Sequence, residues 1–516
     1  MDLQDLVLTP PQMRTAELAA AAHGVTVSRL MDNAGEALGR RILSAAGRMM
    51  KRNILLICGS GNNGGDGYVA AGFLLDSAAD VTIVTCGLPK TELSKAAFEK
   101  VKGRCEMITL EAAVEDPSLI DHAEIIVDCV FGIGFHGELS HELQRLFMRC
   151  TLSSAYLIAC DCPSGINCLS GRISPGAFEA DETLSFHKPK LGMLMSPAKE
   201  HCGRIETADI GIGDYVEEYA KVKIMRTDAD LAASFLPYRS EDSHKGIYGK
   251  VVMVCGSFNF PGAAIIASQA ALRSGVGIVN LCTHVRAVSG AAERMPECTY
   301  TLVDFDEKGF MTEKAADAIL KSMERAGAAV IGCGLGKTEG TERLVCELVR
   351  RAKCPLIIDA DGINCLSAHI DVLKEKQTEI ILTPHPAELA RLCGTDTSSV
   401  MQDVFGHACE IAEQYSVTVH AKNTQTLTVG HGSCYITDFG CSALAKGGSG
   451  DMLAGLIGGL TAQGIGADRA CVLADYIMGT SARALCKELS PRGVLAGDII
   501  KRFPRTFYEL EHGLRI

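Results

Sequence analysis

The sequence lacks any long run of lysine or arginine. Its 50 basic residues are outnumbered by 62 acidic ones, for a formal charge of −12, so the electrostatic footprint of a nucleic-acid binder is missing. Nucleic acid is therefore excluded as the main partner, and an anionic ligand would have to be held by local backbone amides and a few cations. Cysteines paired at metal spacing are also missing. The 22 cysteines are scattered singly inside apolar stretches such as 54–58 and 251–255, without a CxxC pair, and read as small buried hydrophobes. Residues 1–11 are mixed and acidic rather than signal-like, which with the cysteine usage points to a reducing, cytoplasmic setting. The longest membrane-like stretch, 452–467, is broken by Thr461 and Gln463 and flanked by Asp451 and Asp468. Spanning takes roughly 20 residues, so neither a transmembrane helix nor a membrane partner is expected.

What is present is the material of a globular enzyme. Apolar residues are 47% and charged residues 22% of 516, ample for at least two independently cored domains. Met13, Leu18, Val25, Leu30, Met31, Leu38 and Ile42 follow helical spacing, predicting two helices across 10–50 around a turn at Gly24. Short β-rich runs follow at 53–58, 81–85, 124–128, 156–160 and 182–186, each separated by a helix-length segment. That alternation predicts βαβ units and a parallel sheet covered on both faces. Regularity is lost at 211–226, which places a junction there and domains at 1–220 and 221–516. A second alternation has runs at 250–255, 276–281, 328–331, 355–359, 379–382 and 417–421, then a hairpin near Leu427 and Tyr435 around Gly430 and Gly432. The fold class is α/β in both halves. Cys-Gly-Ser follows a strand at 58–60 and again at 255–257, but the residues beyond differ, so no repeat is assigned.

The first chemical constellation is Cys58-Gly-Ser-Gly-Asn-Asn-Gly-Gly-Asp-Gly67, read as a loop between a strand and a helix over 68–75. Its glycines would let the chain adopt positive φ and approach a ligand, with amides at the helix start suited to an anion. A tight turn with an Asx cap accounts for glycine and aspartate, but not for Asn62, Asn63 and Asp66 together. Two later strand ends carry related chemistry: Asp128 before the loop 131–138, and Asp161-Cys-Pro-Ser-Gly165. In a doubly wound sheet such ends face one crevice. Asn63, Asp128 and Ser164 offer hard oxygen ligands for a cation, and Asp161 a general acid or base. Helix capping remains an alternative for each aspartate and serine.

With Met13-Arg14 and Leu30-Met-Asp-Asn-Ala-Gly35, these segments resemble, in order, the NAD(P)H-hydrate epimerase domain of the YjeF N-terminal type over roughly residues 1–215. The resemblance implies a Rossmann-like doubly wound α/β/α sandwich. It implies that the substrate is held by Asn62, Asn63, Gly64, Gly65 and Asp66 and by Gly132, Ile133, Gly134, Phe135, His136, Gly137 and Glu138. It also implies Asp161 at the reacting ring, and potassium on Asn63, Asp128 and Ser164. Asp32 stands where the family usually has glutamate.

The second constellation is Ala445-Lys-Gly-Gly-Ser-Gly-Asp451, followed by an apolar helix over 452–460. Glycines before a helix leave amides free as an anion pocket, and Asp451 beside such a pocket suits a general base that activates a hydroxyl for attack on phosphorus. The order of a Walker A loop is absent. Supporting segments are 332–336, 359–364, 383–388 and 422–426. Within them His385 sits between two prolines, where it could contact a ligand or serve as a turn histidine, and Lys422 could face a phosphate. Together with 244–251 and 261–264, these segments resemble the ADP-dependent NAD(P)H-hydrate dehydratases, ribokinase-like α/β domains, over about 225–510. The resemblance implies hydrated-cofactor contacts from Ala263, Gly336, His385 and Asp451. It implies nucleotide contacts from Lys422, Asn423, Thr424, Gln425, Thr426 and Gly450. Asn423 and Cys441-Ser442 depart from the family's usual glycine and Asn-Pro.

Jointly the halves resemble fused NAD(P)H-hydrate repair enzymes. That implies epimerisation of R- and S-NAD(P)HX (hydrated NADH or NADPH), then ADP-dependent dehydration to NAD(P)H with release of AMP and phosphate. K+ is implied in the first domain, Mg2+ in the second, ADP as co-substrate, and a homo-oligomer. The competing reading is a ribokinase-like small-molecule kinase joined to a non-catalytic scaffold, which would use the same aspartate and anion loop.

Overall fold

The computed structural model describes residues 5–49, 53–77, 79–116, 118–430 and 432–514, and the chain divides into two compact units, Met1–Lys223 and Ile224–Ile516. Met50, where the expected opening helical stretch ends, lies outside the described residues. That stretch forms two helices, Pro10–Ala22 and Val27–Met49. Gly24 turns between them at φ 91°, where a Cβ would be strained. Thr9 starts the first helix with a capping box to Gln12.

The first unit is built on seven strands: β1 (Asn53–Gly59), β2 (Asp80–Cys86), β3 (Glu106–Thr109), β4 (Ile125–Cys129), β5 (Tyr156–Cys160), β6 (Glu182–Phe186) and β7 (Arg204–Ala208). Their order is β3-β2-β1-β4-β5-β6-β7, all parallel. β4 and β6 are buried at every position, as a sheet covered on both faces requires. The strand order reverses between β1 and β4, so their carboxyl ends open the crevice where ligands bind in doubly wound sheets. β3 and β7 were not anticipated. Both are edge strands with no buried residue, so they carry little of the hydrophobic run that marks a central strand.

The second unit's sheet comprises β8 (Lys223–Arg226), β9 (Lys250–Val254), β10 (Ile278–Thr283), β11 (Thr299–Leu302), β12 (Ala328–Ile331), β13 (Leu356–Ile358), β14 (Ile380–Leu382), β15 (Thr418–Ala421), β16 (Thr426–Val429) and β17 (Ser433–Thr437). Its order is β8-β17-β16-β15-β14-β13-β12-β9-β10-β11. β9 to β15 are joined by parallel pairings, while β15, β16 and β17 pair antiparallel. β10 begins two residues later than the run at 276–281 predicts. The amide of Gly277 is taken by Tyr248 O at 3.0 Å, and a Cβ at Gly277 would collide with Lys245 O, so the chain joins the sheet only at Ile278. The core lies between this sheet and helices Pro261–Arg273, Ser449–Thr461 and Ala467–Glu488, where Val251, Met253, Ala267, Ala271, Leu456 and Ile457 are buried. Gly455 lets the first two of these helices touch backbone to backbone, its missing Cβ leaving room for Ala267 O.

Candidate active sites

In the first unit the glycine-rich segment is not a loop. The helix starts at Asn62 and runs Asn62–Asp76, so Gly64, Gly65 and Gly67 belong to its first turns with ordinary negative φ. Their role is close packing. A Cβ at Gly64 would collide with Gly59 O, one at Gly67 would lie 2.8 Å from Cys58 Sγ and from Cys129 Cβ, and one at Gly65 would meet Met31 at 2.6 Å. The expected positive φ is absent because the β1 carboxyl end runs directly into the helix. The amides at its start have no side-chain cap, and they open towards a cavity of about 470 Å³.

Asn62, Asn63, Asp66, Gly132, Ile133, Gly134, Phe135 and Asp161 line that cavity. Gly64 and Gly65 are buried beneath it, and His136, Gly137 and Glu138 are exposed and do not line it. Asp161 stands at φ 63°, a left-handed conformation that aspartate tolerates better than most residues and that marks local strain. Its Oδ1 accepts from the amide of Phe186 at 3.1 Å and from Nζ of Lys190. Lys190 is fully buried. Its other two ammonium hydrogens go to Ser185 Oγ at 2.9 Å and Phe186 O at 3.0 Å, so the charge is fully satisfied. Hydrogen bonds from Leu8 N to Pro189 O and Leu191 N to Leu8 O pin the backbone on either side of it.

Sequence reasoning missed Lys190. The available signal was a lysine closely following a fourth strand end, at 188–190. It also missed Glu17, from the first helix, which lines the same cavity. Burial first, then the charge of Asp161, pushes the Glu17 carboxyl up. The same two causes, with Glu17 added, push Asp66 well above the usual carboxylate range. Three carboxylates therefore share one crevice with one buried ammonium.

Beneath them Asp128 is fully buried. It accepts from Val130 N at 3.0 Å, Ser164 N at 2.6 Å and Ser164 Oγ at 2.7 Å, and Ser164 Oγ in turn accepts from Phe131 N at 2.8 Å. None of these donors is charged, and burial raises the Asp128 carboxyl to about 6. Asn63 has a buried Nδ2 without a partner, and its Oδ1 lies 3.3 Å from where a Gly132 Cβ would be. A buried carboxylate lacking a counter-charge, together with an unsatisfied buried amide against the loop after β4, which a half-turn would present as oxygen, fits a monovalent cation.

In the second unit Asp451 is in the first turn of helix Ser449–Thr461. Gly448 precedes the helix at φ 92°, and no side chain caps its start, so first-turn amides are free for an anion. Burial first, then the charge of Asp359, raises the Asp451 carboxyl to about 6. Asp359, at the end of β13, is buried and accepts from Lys422 Nζ at 2.6 Å and Thr383 Oγ1 at 2.7 Å. A Cβ at Gly450 would lie 3.7 Å from both Asp359 Oδ2 and Lys422 Nζ. Lys422 also stands 4.0 Å from Glu388, which burial raises to about 7. His385 caps helix Pro386–Cys393, its Nδ1 accepting from Ala387 N and Glu388 N at 3.2 and 3.4 Å. Burial, then Lys422, lowers its basicity. Gly336, at φ 80°, donates its amide to Asp361 at 2.8 Å, and Ala263 is in the first turn of helix Pro261–Arg273.

The expected nucleotide segment is divided. Lys422 is committed to Asp359, Asn423 Oδ1 accepts from Thr424 N at 2.9 Å, and Thr424 is exposed. Gln425 and Thr426 are buried, Gln425 donating to Asp438 at 2.9 Å and Thr426 opening β16. Cys333, Asp359 and Asp451 bring three donor atoms within 4.8 Å of one another. This trio does not fit Mg2+, which takes oxygen ligands in an octahedron, because one donor is a thiol and a lysine ammonium already occupies Asp359. Asp359, Glu388 and Thr383 stood in segments singled out by sequence, but the contacts of Asp359 and Glu388 with Lys422, and of Thr383 with Asp359, were not anticipated.

Comparison with known proteins identifies families along both units. The family model of NAD(P)H-hydrate dehydratases matches residues 251–505, and that of the YjeF-related protein N-terminus matches 27–192. The bifunctional NAD(P)H-hydrate repair enzyme Nnr of Moorella thermoacetica is 31% identical over 507 residues, covering 96% of this chain and 95% of its own. The enzyme of the same name from Escherichia coli K12 is 29% identical, covering 94% and 91%. Among solved structures, the ADP/ATP-dependent NAD(P)H-hydrate dehydratase of Bacillus subtilis is 29% identical with a TM-score of 0.48, covering 55% of this chain and 98% of its own. With two site-bearing units in the order of these relatives and similarity along nearly its whole length, the chain belongs to the family of bifunctional NAD(P)H-hydrate repair enzymes.

Proposed function

We propose that this chain interconverts the R and S epimers of NAD(P)HX in its first unit and dehydrates the S epimer in its second, consuming ADP and releasing AMP and phosphate. The observation that carries this reading is Asp451: a half-buried carboxylate raised to about 6, in the first turn of a helix whose uncapped amides suit a phosphate. Asp451 takes the proton of the C6 hydroxyl as that oxygen attacks the terminal phosphorus, and the bond to AMP breaks. First-turn amides, Gly450 among them, receive the negative charge that develops. The ring nitrogen's lone pair then expels phosphate from C6, and loss of a C5 proton restores the dihydropyridine. Ala263, Gly336 and His385 frame the hydrated ring. Lys422 and the backbone of Asn423 and Thr424 face the nucleotide, with Gln425 and Thr426 buried behind them. Mg2+ enters as the nucleotide's own counter-ion, since the trio beside Asp451 does not suit it.

In the first unit a proton is needed to expel the C6 oxygen as water, and a base to deprotonate the water that returns on the other face of the iminium. Carboxylates with environments pushed apart divide such work. Asp66, held towards its protonated form, is the donor, and Asp161, tied to the Lys190 ammonium, is the acceptor. Asn63, Asp128 and Ser164 hold K+, which supplies the missing counter-charge and fixes the loop after β4. The substrate lies against Asn62, Asn63, Asp66 and Gly132 to Phe135.

The test is incubation of an epimer mixture with each nucleotide, separating the epimers over time. Reduced nicotinamide should return with AMP, and Asp161→Asn should stall the reaction once the S epimer is consumed, interconversion falling roughly a hundredfold. A stable phosphorylated small molecule in place of NAD(P)H would instead support the kinase reading.

A further inference from the structure

The C-terminal ends of β9 and β10 enclose a second cavity, of about 310 Å³, which none of the chemistry above uses. Gly256, Ser257 and Phe258 from the loop after β9 form one wall, with the start of helix Pro261–Arg273. Thr283, which ends β10, and Arg286 beyond it form the other, and Phe305 closes it. Two rings line it, Phe258 and Phe305, 5.3 Å apart, and His284 packs behind them at 5.3 Å from Phe258 and 5.5 Å from Phe305. Phe258 is held in place by Gly309, at φ 87°, where a Cβ would come within 2.6 Å of its ring. Even so Phe258 is 42% exposed, as are Phe260 at 54% and Val285 at 60%, an apolar mouth of the kind that marks a binding site.

The cavity abuts the site of Asp451. Gly256 N donates to Cys333 O at 2.8 Å and Ser257 Oγ to Gly334 O at 3.0 Å. Cys333 belongs to the trio with Asp359 and Asp451, and Ala263 stands 2.7 Å from where a Gly334 Cβ would be. β9, the helix Pro261–Arg273 and β10 form a parallel βαβ unit. In such a unit the helix start suits a bridging pyrophosphate, and the residue just past the second strand reads the ribose 2′ position, an acid for a hydroxyl and an arginine for a phosphate. Here the cation nearest that position is Arg286, three residues past β10 in the first turn of helix Val285–Arg294, lining the cavity, exposed and without an ion pair among the described residues.

We infer that this crevice holds the adenosine half of the hydrated dinucleotide and that Arg286 binds its 2′-phosphate, so that the dehydratase unit favours NADPHX over NADHX. The inference rests on the dehydratase reading for its substrate. The rings sandwich the base, the amides of Gly262 and Ala263 meet the pyrophosphate, and the nicotinamide end reaches Asp451.

Adenosine 2′,5′-bisphosphate is the probe. It should inhibit the full-length enzyme competitively against the hydrate at saturating ADP, and bind in equilibrium dialysis with ADP present. Arg286→Gln should weaken that binding roughly tenfold, the worth of a charge-assisted contact, and raise KM for NADPHX by about as much while changing KM for NADHX less than about twofold. Phe258→Ala should raise KM for both substrates. Equal KM changes for both substrates in Arg286→Gln, or competition by the probe against ADP alone, would overturn the inference. Dialysis requires no turnover, so a wild-type protein that binds the probe but repairs no hydrate would sink the functional reading and not this one.

Discussion

The two units each line a crevice with a carboxylate, Asp161 in one and Asp451 in the other, in contrasting electrostatic surroundings. In the first, Asp161 is bonded directly to a fully buried lysine and held at φ 63°. In the second, the nearby lysine is bonded to Asp359 instead, so Asp451 is governed by burial and a neighbouring negative charge, and its carboxyl rises to about 6. The difference matches the work. In the proposed scheme epimerisation consumes no net proton and needs a donor and a fixed acceptor that re-equilibrate with solvent between turnovers, whereas dehydration needs a base strong enough to activate an alcohol at neutral pH. Which residue the ammonium binds thus separates two chemistries on similar parallel sheets.

The contrast is broken most severely at Asp451. Asp451→Asn should lower nucleotide-dependent recovery of NAD(P)H roughly a thousandfold, while epimer interconversion continues at the parental rate; both are read from epimer-resolved time courses. Next, Lys190→Met removes the counter-charge of the buried pair with Asp161. It should destabilise the first unit by roughly 3 kcal/mol in urea unfolding and depress interconversion with it.

A smaller effect concerns pH. Asp451 must be ionised to accept a proton, so kcat/KM for dehydration should fall about tenfold per pH unit below about 6 and level off above it. Asp359 is a charge that raises Asp451, so Asp359→Asn should move that limb to lower pH; a limb left in place would show that burial alone sets it. The smallest effect is ionic. Replacing Na+ by K+ should raise the Tm of the parent by a few degrees, a stabilisation of about 1 kcal/mol, and Asp128→Asn should abolish the difference.

Much of this was legible in the sequence. Central strands announced themselves as apolar runs, and the polar residues that end them, Asp128 and Asp161, fell where a doubly wound sheet places its crevice. The edge strands β3 and β7 escaped because an edge needs no continuous apolar run. The segment 62–67 was misjudged as a loop because glycine reads as a breaker. Here glycine serves contact with Gly59, Cys58 and Cys129, a requirement set by neighbouring strands and invisible along the chain. The crevice over β9 and β10 was likewise unreadable, since its rings come from positions 258 and 305 and the ring behind them from 284.

The sequence alone determined the class of the fold, the two-part organisation and the positions of Asp161 and Asp451, because periodicity and glycine spacing are local properties of the chain. Tertiary structure decided which charges meet. Lys190 is 29 residues from Asp161, and Lys422 is 63 from Asp359. Burial and a through-space partner set how a carboxylate behaves, and neither is written in the order of neighbouring residues.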